Sequence, residues 1–447
     1  MNRLLLLSPL LLLGSCNFLR IDPITNPNAP ELNQFINNPT REQLNQLATG
    51  TFSGMRNGYA GTSYANGTSS YDAYCRITGT LGREVYWLNT SETRWASDLA
   101  GTNGALDNAS FYDDYYFSFS NARKTAEIFQ QSALTSQTLT EQQKAGVQGF
   151  TNTVMAFEGL HILNMQGENG IRTNVTDYLN PGPFATYAQS LTALRTLLDQ
   201  GLAQLQRAGG TFAFPFPSGF AGFDTPATFA GFNRAVAARI ATYQKDWPGV
   251  LDALKGSYLD LTGNLTVGPY YTWSTAPDVL NPSYQTLNNN NPLVANPSFV
   301  TDAEPGDARL GKVAQRDQPY TLLGITAAYD VNLYPTNTSP TSIIRNEELV
   351  LLYAEAQLQT GNPSEAVKAI NLIRTQSGKL PAYAGPTTQP ALLDELLKQR
   401  RYSLFFEGHR WVDMRRYGRL KQLPLDAPGQ TIFDRMPRPF AEVSWGQ

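Results

Sequence analysis

Leucine recurs at 191, 194, 197, 198, 202 and 205. This spacing draws an apolar stripe down one side of a helix with 3.6 residues per turn. It predicts a helix from Tyr187 to Ala208, stopped by Gly209-Gly210. Similar periodicity predicts helices over Arg41 to Met55, Phe119 to Ala133 and Thr140 to Met165. Thr40 precedes the first as an N-cap, with Glu42 in its first turn. Thr140, followed by Glu141-Gln142-Gln143, comes close to a capping box.

Two later segments resemble each other. Ala237 to Ser257 (AARIATYQKDWPGVLDALKGS) and Tyr353 to Arg374 (YAEAQLQTGNPSEAVKAINLIR) each read as helix, tight turn, helix. Without gaps, Ala238 aligns with Ala354, Asp246 with Asn362, Val250 with Ala366, Ala253 with Ala369 and Leu254 with Ile370. The small residues let the two helices approach closely, and Pro248 or Pro363 suits the first turn of the second helix. This is the signature of tetratricopeptide-type hairpins, which bury a core only when stacked. The pair 119–133/140–165 and the pairing of 187–208 with 233–243 would extend the stack. The fold class predicted is all-α, a single helical domain over 41–447.

Two long stretches break the helical pattern, about 57–108 and 261–343. They are rich in Gly, Thr, Tyr, Asn and Pro. Irregular inserts this long are unusual unless they serve a purpose, and binding residues tend to sit on loops held by a rigid scaffold. Composition adds that aromatics reach 11% of the 447 residues and are not confined to apolar runs. Net charge is −3, so nothing draws the whole chain to nucleic acid. With only His161 and His409, His-based metal and proton-relay chemistry is poorly supplied. No cofactor and no metal is expected.

The N-terminus, MNRLLLLSPLLLLGSC, has Arg3 ahead of an apolar run from Leu4 to Leu13. The run is too short to span a bilayer core of about 30 Å as a helix, so it reads as an export signal. Gly14-Ser15 directly before Cys16 resembles the lipobox of bacterial lipoproteins. The resemblance implies a signal peptide over 1–15 and a lipid, palmitate included, on Cys16. Residues 16–40, with Pro23, Pro27, Pro30 and Pro39, read as an extended tether. Cys75 would then be a lone thiol, buried and inert.

Two dense motifs mark the C-terminal third. Ile343 to Gly378 carries Arg345 before Glu347, an apolar run, Ala354-Glu355-Ala356, and Asn371-Leu372-Ile373-Arg374. Leu396 to Gly418 carries Arg400-Arg401, then Glu407-Gly408-His409-Arg410-Trp411, then Asp413. Asp307-Ala308-Arg309 adds an Asp-x-Arg ahead of them. In these residues the C-terminal third resembles the SusD/RagB family of outer-membrane nutrient-binding lipoproteins, although Gln399 stands where the family usually has Glu. The resemblance implies four tetratricopeptide-like hairpins with a loop-built ligand face. It also implies a TonB-dependent, SusC-like outer-membrane transporter as partner and an outer-membrane, surface-exposed location. The ligand it implies is an oligosaccharide or, as in RagB-like proteins, an oligopeptide, with no catalysis.

FFEGHRWVDMRRYG, Phe405 to Gly418, gathers Glu, His and Asp beside Arg and Trp and so invites a catalytic reading. Its spacing argues against one. Glu407 and Asp413 are six apart and do not share a helical face. Glu407, Arg410, Asp413 and Arg416 follow at i, i+3, a ladder of opposite charges. Leu404, Trp411 and Met414 give an apolar face. Glu407, Arg410, Trp411 and Asp413, with Arg345, Glu347, Glu355 and Arg374, are therefore assigned to structure. An Asp307–Arg309 ion pair is expected to close the second insert, and the acidic run from Thr301 to Asp307 fits no EF-hand loop.

Sugar rings pack their C–H faces on flat aromatic rings while polar side chains bond their hydroxyls. Two insert stretches offer both. One holds Arg83, Tyr86, Trp87, Asn89, Arg94 and Trp95; the other holds Tyr270, Tyr271, Trp273, Asp278, Asn281 and Tyr284. These are the candidate ligand-binding residues, and the competing reading is that their rings anchor the inserts to the helical body. A helical-repeat interaction scaffold is a second functional class. A lipid-anchored glycoside hydrolase is a third, for which no acid/base pair is identifiable.

Overall fold

The computed structural model describes residues 36–57, 70–102, 106, 109–174, 176 and 181–443. Cys16, the leader and most of the tether lie outside these residues. The main helices are α1 (Arg41–Asn57), α2 (Ser70–Leu81), α3 (Ala109–Thr135), α4 (Glu141–Gln166), α5 (Tyr187–Arg207) and α6 (Pro226–Gln244). After them come α7 (Trp247–Lys255), α8 (Asn346–Gln359), α9 (Pro363–Gln376), α10 (Gln389–Ser403) and α11 (Arg410–Arg416). Each of α3 to α7 packs on the next, and α8 packs on α6, α7, α9 and α10. This is the stack of hairpins that the repeats predict.

Local chemistry sets the helix starts. Thr140 and Thr186 each accept from the backbone of the third helical residue, Gln143 or Gln189, whose side chain bonds back to the cap, a full capping box. Asp246 caps α7 through Gly249 N, after Lys245 ends α6 in a left-handed turn. Close approach of α4 and α5 needs Gly149, where a Cβ would fall 2.5 Å from Leu205 Cγ. The link before α6, TFAFPFP, alternates Phe212, Phe214 and Phe216. An extended chain sends alternate side chains to one side. These rings meet Phe150, at centroid distances of 6.4, 5.1 and 5.5 Å. Phe52 of α1 packs on Phe216 at 4.9 Å and on Phe220 at 5.2 Å.

Neither insert is irregular throughout. The first contains α2, which buries Tyr71, Tyr74, Ile77 and Leu81. Its Thr and Gly residues have poor helix propensity, so tertiary burial makes this helix. The inserts also form strands: β1 (Val85–Trp87), β2 (Tyr270–Tyr271), β3 (Leu293–Ala295), β4 (Val313–Leu322), β5 (Ile325–Val331) and β6 (Thr341–Ser342). One sheet has the order β1-β3-β5-β4; β2 and β6 pair separately. Val85 pairs with Ala295 and Trp87 with Leu293, so the two inserts are joined by backbone hydrogen bonds. The β4–β5 hairpin turns at Leu323-Gly324, both with positive φ, as a two-residue hairpin loop requires. Leucine at the first position hides the usual sequence signal.

The expected charge ladder takes a different form. Gly408 has φ +79°, and a Cβ there would fall 2.2 Å from the Tyr74 ring. The chain bends at this glycine, so α11 starts at Arg410 and Glu407 lies outside it. Asp413 does pair with Arg416, at 2.9 Å, but its other partner is Arg400 of α10, at 2.6 Å. Arg416 and Tyr417 both bind Glu355 of α8. Arg410 donates to Gly82 O instead of to a carboxylate. Trp411 is fully buried and donates to Phe433 O at 2.8 Å. The charges thus tie α8, α10 and α11 together in the interior.

The same logic holds around Arg345. It pairs with Glu407, binds Glu347 at 2.8 Å, and donates to Ser403 O at 2.6 Å. Burial opposes the charge on Glu347, yet Arg345 and Lys312 hold its carboxyl down at about 2. Arg374 bridges Glu395, at 2.5 Å, and Glu304, at 2.6 Å. Arg309 meets Asp307 at 2.7 Å and bonds Ser403 Oγ at 3.0 Å, which pins the middle of the second insert to α10. His409 is buried, 3.6 Å from Glu348, and burial pushes its imidazole down to about 3. Among the described residues no group of three or more His, Cys, Asp or Glu is placed to hold a metal ion.

Two stability predictions come from these buried charges. Arg345→Ala leaves two carboxylates without their cation and is expected to cost about 3–5 kcal/mol, read by denaturant unfolding; a loss below about 1 kcal/mol contradicts it. Glu84 is 2% exposed, and burial pushes its carboxyl up to about 8 against the pull of Arg410 and Arg401. Its folded pKa exceeds the ordinary 4.5, so the unfolded chain gives up the proton first as pH rises. Its contribution is whole below about 4.5 and is lost toward about 8. Glu84→Gln should match the parent melting temperature at pH 4 and exceed it by a widening margin, reaching a few degrees, up to pH 8. A margin independent of pH would refute this assignment.

Candidate functional site

The inserts define where a ligand could be held. The first contributes Arg83, Tyr86, Trp87, Asn89, Arg94 and Trp95, and most of these face inward. Arg83 is wholly buried and donates to the carbonyls of Thr80, Ala100 and Thr431. Tyr86 is equally buried and donates to Asp426 at 2.5 Å. Trp87 and Trp95 are 8% and 7% exposed. They pack 5.3 Å apart, with the Arg76 guanidinium 4.2 Å from the Trp87 ring. Asn89 is buried and accepts from Ser91 N. Arg94 is half-buried and pairs with Glu92 at 2.5 Å. These rings are spent on packing beside the β1–β3 ladder and present no open face.

The second insert divides. Trp273 is 5% exposed, and its Nε1 donates to Thr341 Oγ1 at 3.0 Å. Asn281 is buried and donates to Ser339 O at 2.8 Å. Tyr284 is half-buried. Tyr270, Tyr271 and Asp278, by contrast, line a common cavity of about 380 Å³ with Phe52, Ser53 and Arg56 of α1. Its size lies within the range of small-molecule sites.

The cavity is built from both parts of the fold. Phe52 and Phe220 are the edge of the buried phenylalanine cluster and give it an apolar floor. Strand β2 pairs with β6, Tyr270 opposite Ser342 and Tyr271 opposite Thr341. Adjacent residues of a strand point to opposite sides. Tyr270 is accordingly 38% exposed and Tyr271 only 4%. Burial pushes the Tyr271 phenol well above its ordinary value.

Arg56 organises the polar side. It reaches Asp278 with two bonds of 2.5 and 2.9 Å and donates to Thr272 O at 2.6 Å. Its guanidinium stands 5.1 Å from the Trp273 ring. The bonds from Arg56 hold the Asp278 carboxyl below its usual range. The pair is charge-compensated and fixed, and Asp278 keeps acceptor capacity for a hydroxyl. The result is an exposed aromatic ring beside fixed donors and acceptors, with one carboxylate in the lining. Arg56 escapes sequence reasoning because it is an ordinary basic residue in the last turn of α1. Its only signal is its place directly before the first insert.

The chain is similar to known proteins in two ways. The sequence profile of the SusD family matches residues 269–442, from the start of β2 to well beyond α11. SusD-like protein P38 of Formosa agariphila is 34% identical over 100 residues, 21% of this chain. The matched stretch spans 20% of that relative's length. Among solved structures, a SusD superfamily protein from Bacteroides vulgatus superposes with a TM-score of 0.67 at 16% identity, covering 91% of this chain and 97% of its own. Surface glycan-binding protein A from Bacteroides thetaiotaomicron, in complex with laminarihexaose, gives 0.68 at 12% identity, covering 90% and 97%. At such identities the structures speak for the fold, the helical one that the hairpin repeats predict. The sequence match covers the C-terminal part, residues 269–442, and there the chain is similar to the SusD family; over the rest of its length the likeness is one of fold.

Proposed function

We propose that this chain is a nutrient-binding protein whose ligand is an oligosaccharide, held at the cavity between α1 and β2. The observation that carries the reading is the exposed Tyr270 ring beside the fixed Arg56–Asp278 pair. A sugar ring stacks on Tyr270, and its hydroxyls bond Asp278 and Ser53. The glycan complex of a protein with the same fold supports this ligand class. The chain acts as a capture protein, without catalysis, and delivers the ligand to a TonB-dependent, SusC-like transporter. It is held at the outer membrane by a lipid on Cys16. Among the described residues no helix is long and apolar enough to cross a membrane, which is consistent with lipid anchoring.

Tyr270→Ala is expected to weaken binding of the preferred hexasaccharide by about 1–1.5 kcal/mol, roughly five- to tenfold. Isothermal titration with laminarihexaose, cellohexaose and maltohexaose measures it. Binding of a tri- to hexapeptide pool with no response to any of the sugars would replace the glycan reading with a peptide one. Cys16→Ser is expected to move the chain from the detergent phase to the aqueous phase on detergent partitioning of whole cells. Retention in the detergent phase would remove the lipid anchor.

A further inference from the structure

A second cavity, of about 580 Å³, lies where the second insert meets α8 and the segment before α11. Thr341 and Ser342 of β6 line it, while their partners Tyr271 and Tyr270 line the first cavity. One two-residue ladder therefore stands between the two cavities.

Its charged lining is already compensated. Arg345 is paired with Glu347 and Glu407, and Arg309 with Asp307. Lys312 donates to Tyr402 O at 2.9 Å and Ser403 O at 2.5 Å, at the C-terminal end of α10, where a cation is favoured. Such a lining demands no charged ligand. What remains on offer is the half-buried Tyr334, near the exposed Asn332 and Pro335, with Ser342 also in the lining. A flat ring next to an amide and a hydroxyl, in a setting of neutralised charge, suits a neutral hydroxyl-rich molecule.

We propose that this cavity is a second, separate sugar-binding site, with Tyr334 as its stacking platform and Asn332 as its hydrogen-bonding group. The ligand class rests on the glycan reading above, whereas the location does not. Titration of the full chain with cellobiose, laminaribiose and maltose tests it. The expected result is two molecules bound per chain for at least one disaccharide, with one event weakened or lost in Tyr334→Ala and the other weakened by roughly five- to tenfold or more in Tyr270→Ala. Asn332→Ala, at an exposed position, should weaken one of the two events several-fold while leaving the melting temperature unchanged. It therefore tests the site even if Tyr334→Ala is poorly folded. One molecule per chain, lost in Tyr270→Ala and unaffected by Tyr334→Ala or Asn332→Ala, overturns the second site and leaves the first. One molecule lost in the Tyr334 and Asn332 variants but kept in Tyr270→Ala upholds the second site and overturns the first. No binding of any disaccharide overturns the second site, and the hexasaccharide titration then judges the first alone.

Discussion

The C-terminal end of α10 is the point on which the rest of the structure depends. A helix ends with carbonyls that have no partner of their own, and here cations from separate parts of the chain converge on them. Ser403 O accepts from Arg345 at the start of α8 and from Lys312 of the second insert. Lys312 also takes Tyr402 O, and Arg309 takes Ser403 Oγ. The carboxylates Asp307, Glu347 and Glu407 then neutralise the cations. Because Arg309, Arg345, Asp307 and Glu347 are buried and Lys312 and Glu407 half-buried, loss of a partner leaves a charge poorly solvated. The geometry is consequently fixed, and with it the middle of the second insert and the point where the insert rejoins the hairpin stack.

Held there, the insert is positioned twice more by backbone pairing. β3 runs against β1 of the first insert, and β2 runs against β6. Buried aromatics fill the space between these ribbons and the helices. Trp273 packs near Arg56 and Trp87 packs on Trp95. A loop with its large rings inside cannot move freely, so the few side chains left outside are held in place. Tyr270 is one of them, and its orientation follows from strand alternation opposite the buried Tyr271. The anchoring role of most insert aromatics is thus what makes a rigid platform of the remainder.

The helical stack was legible because small residues at hairpin contacts, threonine caps and leucine stripes all point to one period. The recurrence of Ala238 and Ala354, both fully buried, is the plainest case. The C-terminal charges were legible as structure but not as topology. Spacing along one helix suggested a ladder from Glu407 to Arg416, whereas a positive φ at Gly408 divides the segment and sends Glu407 to Arg345. A single sequence gives no sign of the Tyr74 ring that requires this glycine. The inserts were the least legible part. α2 and β1 owe their existence to partners far away in sequence, and local propensity does not report such partners. Aromatic content alone could not separate Trp87 from Tyr270, since both sit among polar residues. Burial separates them, and burial is a tertiary property.

The arrangement around Arg56 also bears on how a captured ligand could be let go. Binding loses affinity to every side chain that must be ordered and every polar group left unpaired. Arg56 and Asp278 are ordered before any ligand arrives, through each other and through Thr272 O, so little ordering cost falls on the encounter. Their mutual neutralisation equally limits the gain, because neither offers an uncompensated charge to a sugar hydroxyl. Stacking on a single exposed ring adds about 1 kcal/mol. A site of this composition favours modest affinity with quick exchange, which agrees with the proposed role of handing the ligand on. A site built to retain its ligand would bury more rings around it. This chain has those rings, but it places them beneath the surface, where they hold the inserts.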